Sequence, residues 1–430
     1  MFYKNRNKYK TPPPKTLKGI IIIKINAIKK VKVFKNIKYR YLKKMNFEKN
    51  YYWDFILIGA GLWNSIIAWY LKQYNPKLNV LLLELSSSVK NHIWSFHQND
   101  ISSSQYMLIK PLITYSWPSY QVKFPKFNRK IFSGYYSICS KHLNSYLIRA
   151  LGINNFLFNN KTVEIITPTS IRINNKKIIN ANCIIDGRGL KNSQFDGIYQ
   201  IFLGQQWNLS SPHGLDIPII MDATVNQKND EYHFIYTLPL TPNSLMIEDT
   251  RYTKKPFLKI DMLKKSIKDY AIKNRWKLKN IEREEIGSIP IALKNEKIIK
   301  FKKTICVGLR ANLLHATTGY SLPIAIQLAE NIAKYSITTN QINSTVLFKL
   351  VKKFIINHQK KQRFFCMLNR LFFLSNSRCH LDIMQYFYTL PDKIIRNFYA
   401  NKLSFFDKIR IFSGKPPISL FQALYAFLNL

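Results

Sequence analysis

The sequence predicts an α/β fold: a parallel sheet opened by a βαβ unit, interrupted by an inserted mixed or antiparallel sheet and finished by a helical C-terminal region. Three observations predict it. A continuous apolar run, Phe55-Ile56-Leu57-Ile58, meets a glycine turn and a helical stretch, and a second run, Val80-Leu81-Leu82-Leu83, then closes on Glu84. Residues 195–300 mix alternating runs with Pro-containing turns. Residues 341–430 are basic, aromatic and helix-patterned.

Each element has its own reason. A strand covered on both faces shows an unbroken apolar run rather than alternation, which fits Phe55–Ile58 and Val80–Leu83. Leu62 to Tyr74 carries helical patterning, and Asn75-Pro76 ends it. The turn between them, Gly59-Ala60-Gly61-Leu62-Trp63-Asn64, is G-x-G-x-x-N. Its first glycine permits the tight turn, and its second lets the backbone approach a pyrophosphate. The following helix N-terminus offers free N–H groups and a positive dipole end to that anion. Asn64 takes the place of the third glycine, which sets the helix slightly further from the sheet. Glu84, 23 residues after Gly61, is placed to accept a hydrogen bond from a ribose hydroxyl. This is a Rossmann-like dinucleotide site, with an ordinary strand-to-helix turn as its alternative.

Composition bounds the class. The chain has 430 residues, 47% apolar and 14% aromatic, enough for two or three cored units and inconsistent with a disordered tail. Its five cysteines, Cys139, Cys183, Cys306, Cys366 and Cys379, form no C-x-x-C pair, so neither a zinc knuckle nor a disulfide framework is written. Lys and Arg number 66 against 23 acids, a formal net charge of +43. Lysine dominates that excess, in a chain also crowded with Ile, Asn, Phe and Tyr, which fits an AT-rich coding bias. No RNP, zinc-finger or helix-turn-helix pattern accompanies the charge, so nucleic acid is not the expected partner. Only 14 glycines remain, which makes their clustering informative.

Four segments follow. Residues 1–50 form a basic extension with one acid, Glu48, read as disordered or untranslated, with Met45 as the real start. Residues 51–194 plus 301–340 form the discontinuous nucleotide-binding unit, 195–300 the inserted substrate cap, and 341–430 the helical tail. No stretch of 18 uninterrupted apolar residues exists, so no transmembrane segment is expected.

Two further glycine turns help choose the nucleotide. Cys183-Ile184-Ile185-Asp186-Gly187-Arg188-Gly189 is a short buried strand ending in a turn. Val307-Gly308-Leu309-Arg310, followed by Thr317-Thr318-Gly319-Tyr320-Ser321-Leu322-Pro323, has a glycine at a strand end and a glycine-opened helix. Three such turns favour a flavin dinucleotide held by Gly59, Gly61, Asn64, Glu84, Gly187, Arg188, Gly308, Thr318 and Gly319; two unremarkable loops are the alternative for the later pair.

These segments, with Trp94-Ser95-Phe96-His97, Met221-Asp222-Ala223-Thr224-Val225, Leu238-Pro239-Leu240, Ile247-Glu248-Asp249-Thr250 and Ser413-Gly414-Lys415-Pro416-Pro417, together resemble the bacterial lycopene β-cyclase family from about Met45 onward. The resemblance implies a flavoprotein that cyclises both ends of lycopene, through γ-carotene to β-carotene. It implies FAD in its reduced form, no net redox change, and NAD(P)H as reductant. The chain departs from the family at Val89-Lys90, in place of a glycine pair, at Ala316, in place of a proline after His315, and in the arm before Met45.

Cyclising an apolar polyene needs a proton delivered to a terminal C=C, a tertiary cation kept from water, and a proton removed from a ring carbon. A carboxyl in an apolar setting holds its proton at neutral pH and can deliver it. The candidate catalytic carboxylates are Glu248, the general acid that the resemblance implies, and Asp249, which strand alternation sends to the opposite face as a supporting group. Surface strand-end acids are the alternative reading of both. Trp94, Phe96 and Tyr320 are either core aromatics or faces that stabilise the cation. His92, His97 and His315 lack metal-ligand spacing, so no metal is expected.

Lycopene is insoluble in water, so the substrate is expected at a membrane surface. Phe364–Leu374 is an aromatic-rich helix with cations at its ends, suited to a bilayer surface, or else a buried core helix. The expectation is a cytoplasmic, peripherally membrane-associated protein. The rival is a redox flavoenzyme on the same scaffold, a monooxygenase or polyprenyl reductase.

Overall fold

The two apolar runs become neighbouring parallel strands whose side chains from Phe55 to Ile58 and from Val80 to Leu83 are all fully buried. The computed structural model describes residues 52–413 except 85–90, 153–154, 159–161, 175–176, 190–196, 228–230, 256, 295–303 and 376–378. The basic arm with Met45, the pair Val89-Lys90, and Gly414 to Pro417 lie outside the described residues.

Strand β1 (Trp53–Ile58) leads through α1 (Leu62–Tyr74) to β2 (Val80–Glu84), then to β3 (Ile93–His97) and α2 (Ser103–Ile109). Four short strands follow: β4 (Tyr115–Trp117), β5 (Tyr120–Phe124), β6 (Phe127–Ile131) and β7 (Tyr135–Cys139). Helix α3 (Ser140–Leu151) precedes β8 (Phe156–Phe158), β9 (Val163–Thr167), β10 (Ser170–Ile173) and β11 (Lys177–Asp186). The long strands are β12 (Ile198–Leu209), β14 (Tyr232–Thr241) and β15 (Ser244–Thr253), with β13 (Ile219–Asp222) between the first two. After α4 (Ile260–Lys273) come β16 (Leu278–Ile291) and β17 (Ile305–Cys306). Five helices follow among the described residues: α5 (Leu322–Ile337), α6 (Ser344–Leu374), α7 (His380–Thr389), α8 (Asp392–Tyr399) and α9 (Phe405–Phe412).

The first sheet runs β8-β2-β1-β11-β10-β9, with β17 beside β11. Its β8, β2, β1, β11 and β17 are parallel, and the β9–β10–β11 meander is antiparallel. Helices α1 and α5 pack into one apolar core with β1 and β2, including Ile66, Ile67, Ala325 and Ala329. The expected Rossmann-like half is thus present, and the glycine turns after β1, β11 and β17 all leave the carboxyl ends of parallel strands. Ligands of open parallel sheets bind at those ends.

The second sheet, β16-β12-β15-β14-β13-β5-β6, is antiparallel except for the β13–β5 pair. It recruits β5 and β6 from before residue 195, where the sequence shows only short runs. The odd residues of β15, among them Leu245 and Ile247, pack with Leu263, Ile267 and Tyr270 of α4. The even residues point to the other side. A small third sheet, β3-β7-β4, lies next in the topology. Among the described residues no helix is long and apolar enough to cross a membrane.

Candidate active site

One cavity of about 760 Å³ joins the glycine turns to the inner face of the second sheet and to the C-terminal helices. Gly59, Gly61, Glu84, Gly187, Arg188, Gly308, Thr318 and Gly319 line its nucleotide end. Gly59 has φ +89°, and a side chain there would press on the Gly187 carbonyl at 3.3 Å. Gly308 has φ +71°, and a Cβ would meet the Trp63 ring at 3.0 Å. Beside Gly61 and Gly189, by contrast, a Cβ would meet nothing within 4 Å among the described residues, so open space adjoins the turns there. Gly61 is the N-cap of α1 and no side chain caps it; the first helical N–H groups are therefore open to a ligand.

Polar groups brace these turns. The Ala60 N–H donates to Glu84 Oε2 at 3.0 Å, which fixes the carboxylate at the end of β2. Asn64 does not line the cavity: it is buried, its amide donates to the carbonyls of Ile58 and Gly59 at 2.9 and 3.0 Å, and it packs under Gly187. Asp186 is paired bidentately with Arg188 at 2.8 Å and with Arg310 at 2.7 Å, which clamps the second and third turns together. The bond to Asp186 pushes the Arg188 guanidinium up from its ordinary value. Ala316 gains meaning as well. Its N–H donates to Gln362 Oε1 at 2.8 Å, a bond that a proline would lack.

At the other end of the cavity, strand alternation aligns Phe234, Tyr236 and Leu238 of β14, Met246, Glu248, Thr250 and Tyr252 of β15, Gln200 and Phe202 of β12, and Glu285 and Ile289 of β16. Glu248 is half-buried, because one side faces the cavity. Its Oε1 accepts from Thr250 Oγ1 at 2.9 Å. Burial chiefly, and then the charge of Glu285, pushes the Glu248 carboxyl up from 4.5 to about 8. It therefore holds a proton at neutral pH, as a general acid must.

Its sequence neighbour behaves in the opposite way. Asp249 is fully buried on the α4 side, bonded by His233 Nε2 and by Arg251 Nε, each at 2.8 Å. Burial alone would raise Asp249, but the His233 and Arg251 hydrogen bonds outweigh it and hold the carboxylate below its ordinary value. The cavity does not reach it.

Aromatic hydroxyls form a chain along the wall. Tyr236 bonds Ser95 and Tyr135 at 3.1 Å, and Tyr135 bonds Tyr320 at 2.9 Å. Burial drives these phenols well up, so they stay neutral. Trp94 and Tyr320 reach the cavity, whereas Phe96 packs in the core against Tyr136. His97 is boxed in by Tyr120, Tyr135, Tyr320 and Tyr399. Burial pushes His315 down to about 3, and its Nε2 faces the Phe398 carbonyl at 3.1 Å.

The Phe364–Leu374 segment does not lie on the surface. Phe365, Cys366, Met367 and Leu371 are buried, and Phe372 and Phe373 line the cavity, so it is the core-helix alternative that holds. Among the described C-terminal helices the exposed aromatics sit later, in α9.

Sequence reasoning missed Glu285, Arg283 and Tyr236. They lie in strands whose inward face is set by register; the one local signal was an acid alternating with Gly287 and Ile289 on a single face of β16.

The family model for "Lycopene cyclase protein" matches residues 54–425. A lycopene beta-cyclase from Pseudescherichia vulneris is 44% identical over 87% of this chain and 97% of its own length. Lycopene beta-cyclases from Pantoea ananas, 41% identical over 88% and 98%, and from a Paracoccus strain, 35% identical over 86% and 96%, also match. Among solved structures, a tryptophan 6-halogenase from Streptomyces toxytricini superposes with TM-score 0.57 at 12% identity, over 89% of this chain and 95% of that one. A geranylgeranyl bacteriochlorophyll reductase-like protein from Thermoplasma acidophilum gives 0.51 at 13%, over 88% and 96%. These two likenesses concern the fold alone.

Proposed function

The chain belongs to the lycopene cyclase family, and from that premise we propose that it acts as a lycopene β-cyclase with Glu248 as its general acid. The observation that carries the reading is a single cavity running from three glycine turns to a carboxyl that keeps its proton.

The residues present fit a flavin dinucleotide. Glycines leave open space beside Gly61 and Gly189, an uncapped helix start faces it, and Glu84, Arg188, Thr318 and Gly319 border it. FAD would be held there, kept reduced by NAD(P)H, and when bound it would supply an electron-rich ring system able to stabilise developing positive charge. Asn64 supports the site by holding the turn.

This chain's own groups do the rest. Glu248 gives its proton to the terminal double bond of the polyene, and the neighbouring double bond closes the ring on the tertiary cation. Phe202, Phe234, Tyr236 and Tyr252 offer aromatic faces and exclude water, which would otherwise trap the cation as an alcohol. The hydroxyl chain from Ser95 to Tyr320 keeps the phenols satisfied and their rings fixed. Asp249 stays ionised in its pair with Arg251 and steadies β15 from behind.

A hydrocarbon substrate is met at a bilayer surface. Helix α9 supports that contact: Phe405 and Phe406 are 71% and 78% exposed, Lys408 and Arg410 interleave with them, and Ile411 and Phe412 line the cavity.

The test is Glu248→Ala, expressed in lycopene-accumulating cells and purified. Bound flavin is expected to be retained and cyclisation lost; undiminished β-carotene would overturn the assignment. Measuring NADPH consumed per product separates the reading from a redox flavoenzyme, since an isomerase consumes none in stoichiometric amount.

A further inference from the structure

The proton that Glu248 donates must be balanced by one removed from the ring, and the sheet offers a group for that second transfer. Across three adjacent strands, Glu248 of β15 pairs with Gly204 of β12, and Gly204 pairs in turn with Glu285 of β16. Residues in register share a face, and both carboxylates line the cavity. Their Cα positions are two strand spacings, roughly 10 Å, apart. The residue between them has no side chain. A Cβ on Gly204 would lie 3.2 Å from Glu248 Oε2, so the Glu248 carboxyl leans over the glycine toward Glu285.

The surroundings of the two carboxyls differ. Glu248 accepts only a hydroxyl hydrogen bond from Thr250 among its described side-chain partners. Glu285 has two partners that suit a carboxylate: Arg283 Nη1 donates to Oε2 at 3.1 Å, and His92 Nδ1 faces Oε1. Arg283 is itself buried and anchored by donating to the Asn91 carbonyl at 2.7 Å. His92 is partly open and lines the same cavity. A proton-bearing carboxyl and an ion-paired carboxylate therefore face one another over a bare glycine floor. Two carboxyls with unlike environments are the general pattern of an acid and a base.

We propose that Glu285, oriented by Arg283 and His92, is the base that removes the ring proton and so selects the β-ring. The proposal rests on the cyclase reading above. In the first step the Glu248 O–H bond breaks and the π pair of the terminal double bond forms a C–H bond. The π pair of the inner double bond then makes the ring-closing C–C bond, leaving a second tertiary cation. Glu285 takes the proton from the ring carbon that carries the chain, and that C–H pair becomes the ring double bond. Glu248 is now a carboxylate and Glu285 a carboxylic acid; transfer of one proton back across Gly204 restores both, and nothing is oxidised or reduced.

The test is Glu285→Gln in purified, flavin-loaded protein, with lycopene supplied in vesicles and products separated by ring type. Flavin retention is expected to match the parent chain. Ring formation is expected to slow by about 100-fold or more, the ordinary effect of losing a general base. The rings that do form are expected to include isomers whose proton left from the adjacent methylene or methyl group. In D2O each ring is still expected to gain one deuterium, because Glu248 is intact. Exclusive β-rings from the Gln variant, at any rate, would overturn the proposal, since a purely structural loss does not change which carbon surrenders its proton. Should the Gln variant fail to fold, Glu285→Asp decides: slow turnover is expected from a carboxylate withdrawn by one methylene, and a parental rate would overturn the idea. A parent chain that makes no cyclic product would instead defeat the cyclase reading.

Discussion

Replacing Glu248 by Gln should make the protein more stable while abolishing its chemistry, and the gain should depend on pH. Burial and the Glu285 charge raise the Glu248 carboxyl from its ordinary 4.5 to about 8. Below pH 4.5 the folded and unfolded chains both carry this proton, and the contribution to stability is fully present. Above 4.5 the unfolded chain releases the proton while the folded chain must keep it, so stability falls by about 1.4 kcal/mol per pH unit. The loss is complete once pH has risen through about 8, and amounts to about 5 kcal/mol at most, because water in the cavity screens part of it. Gln at this position titrates nowhere. Urea unfolding of both chains across that interval should therefore show a stability difference that widens with pH, to about 3 kcal/mol at pH 7, in favour of the variant. In the parent chain the proton-bearing fraction, and with it the cyclisation rate, should fall about tenfold per pH unit above about 8. A stability difference that is flat with pH, or that runs in favour of the parent, would refute the claim that this carboxyl is held protonated.

Three more predictions follow from the same geometry. Asp186→Ala removes the carboxylate shared by Arg188 and Arg310 and should lower stability by about 3–5 kcal/mol, the ordinary consequence of stranding a buried pair; flavin absorbance after gel filtration should fall with it. Gly204→Ala puts a methyl group 3.2 Å from the Glu248 carboxyl and 3.0 Å from Met246 Cε. That displaces the acid by a few tenths of an ångström and should slow cyclisation about tenfold with flavin retention unchanged, as initial rates would show. Replacing Phe405 and Phe406 together by Ser should abolish co-flotation with anionic vesicles at low salt while leaving the thermal midpoint within about a degree, because both rings are exposed.

How much of this was readable beforehand followed the range of the interactions. The βαβ unit was legible because every signal in it is local: two unbroken apolar runs, a glycine turn, Asn75-Pro76 at the helix end and Glu84 at the strand end. The location of Asp249 behind the sheet was legible from a period of two. What a single strand cannot reveal is its neighbour. Glu285 reaches Glu248 through two independent registers, β15 with β12 and β12 with β16, and neither pairing is encoded near residue 285. The recruitment of β5 and β6 is non-local in the same way. The α6 segment misled for another reason. An aromatic-rich helical stretch is suited both to a bilayer surface and to a core, and only packing against Phe398 and His315 decides for the core. The start of helix α9 was not read from the sequence, although Ser404 and Asp407 form a capping box there.

Adjacent carboxylates with opposite fates show how the sheet divides labour. Glu248 and Asp249 differ by one residue, yet alternation sends the first into an apolar cavity and the second among Arg251 and His233. The buried cation on the α4 side keeps Asp249 ionised and makes it a rivet. On the face of Glu248, burial and the Glu285 charge outweigh the pull of Arg283, so it keeps a proton instead. Arg283, the cation on that face, donates to Glu285, and the His92 ring faces the same carboxylate. If Arg283 turned to Glu248, it would favour the ionised carboxylate there, and the proposed acid would lose its proton. On this proposal the β16 carboxylate protects the acid twice over: it occupies the arginine that would discharge it, and its own charge opposes a second ionisation nearby. On this reasoning a parallel-sheet scaffold built for nucleotides becomes a cyclase through the second sheet, where three strands in register set an acid, an empty floor and a paired carboxylate in one row.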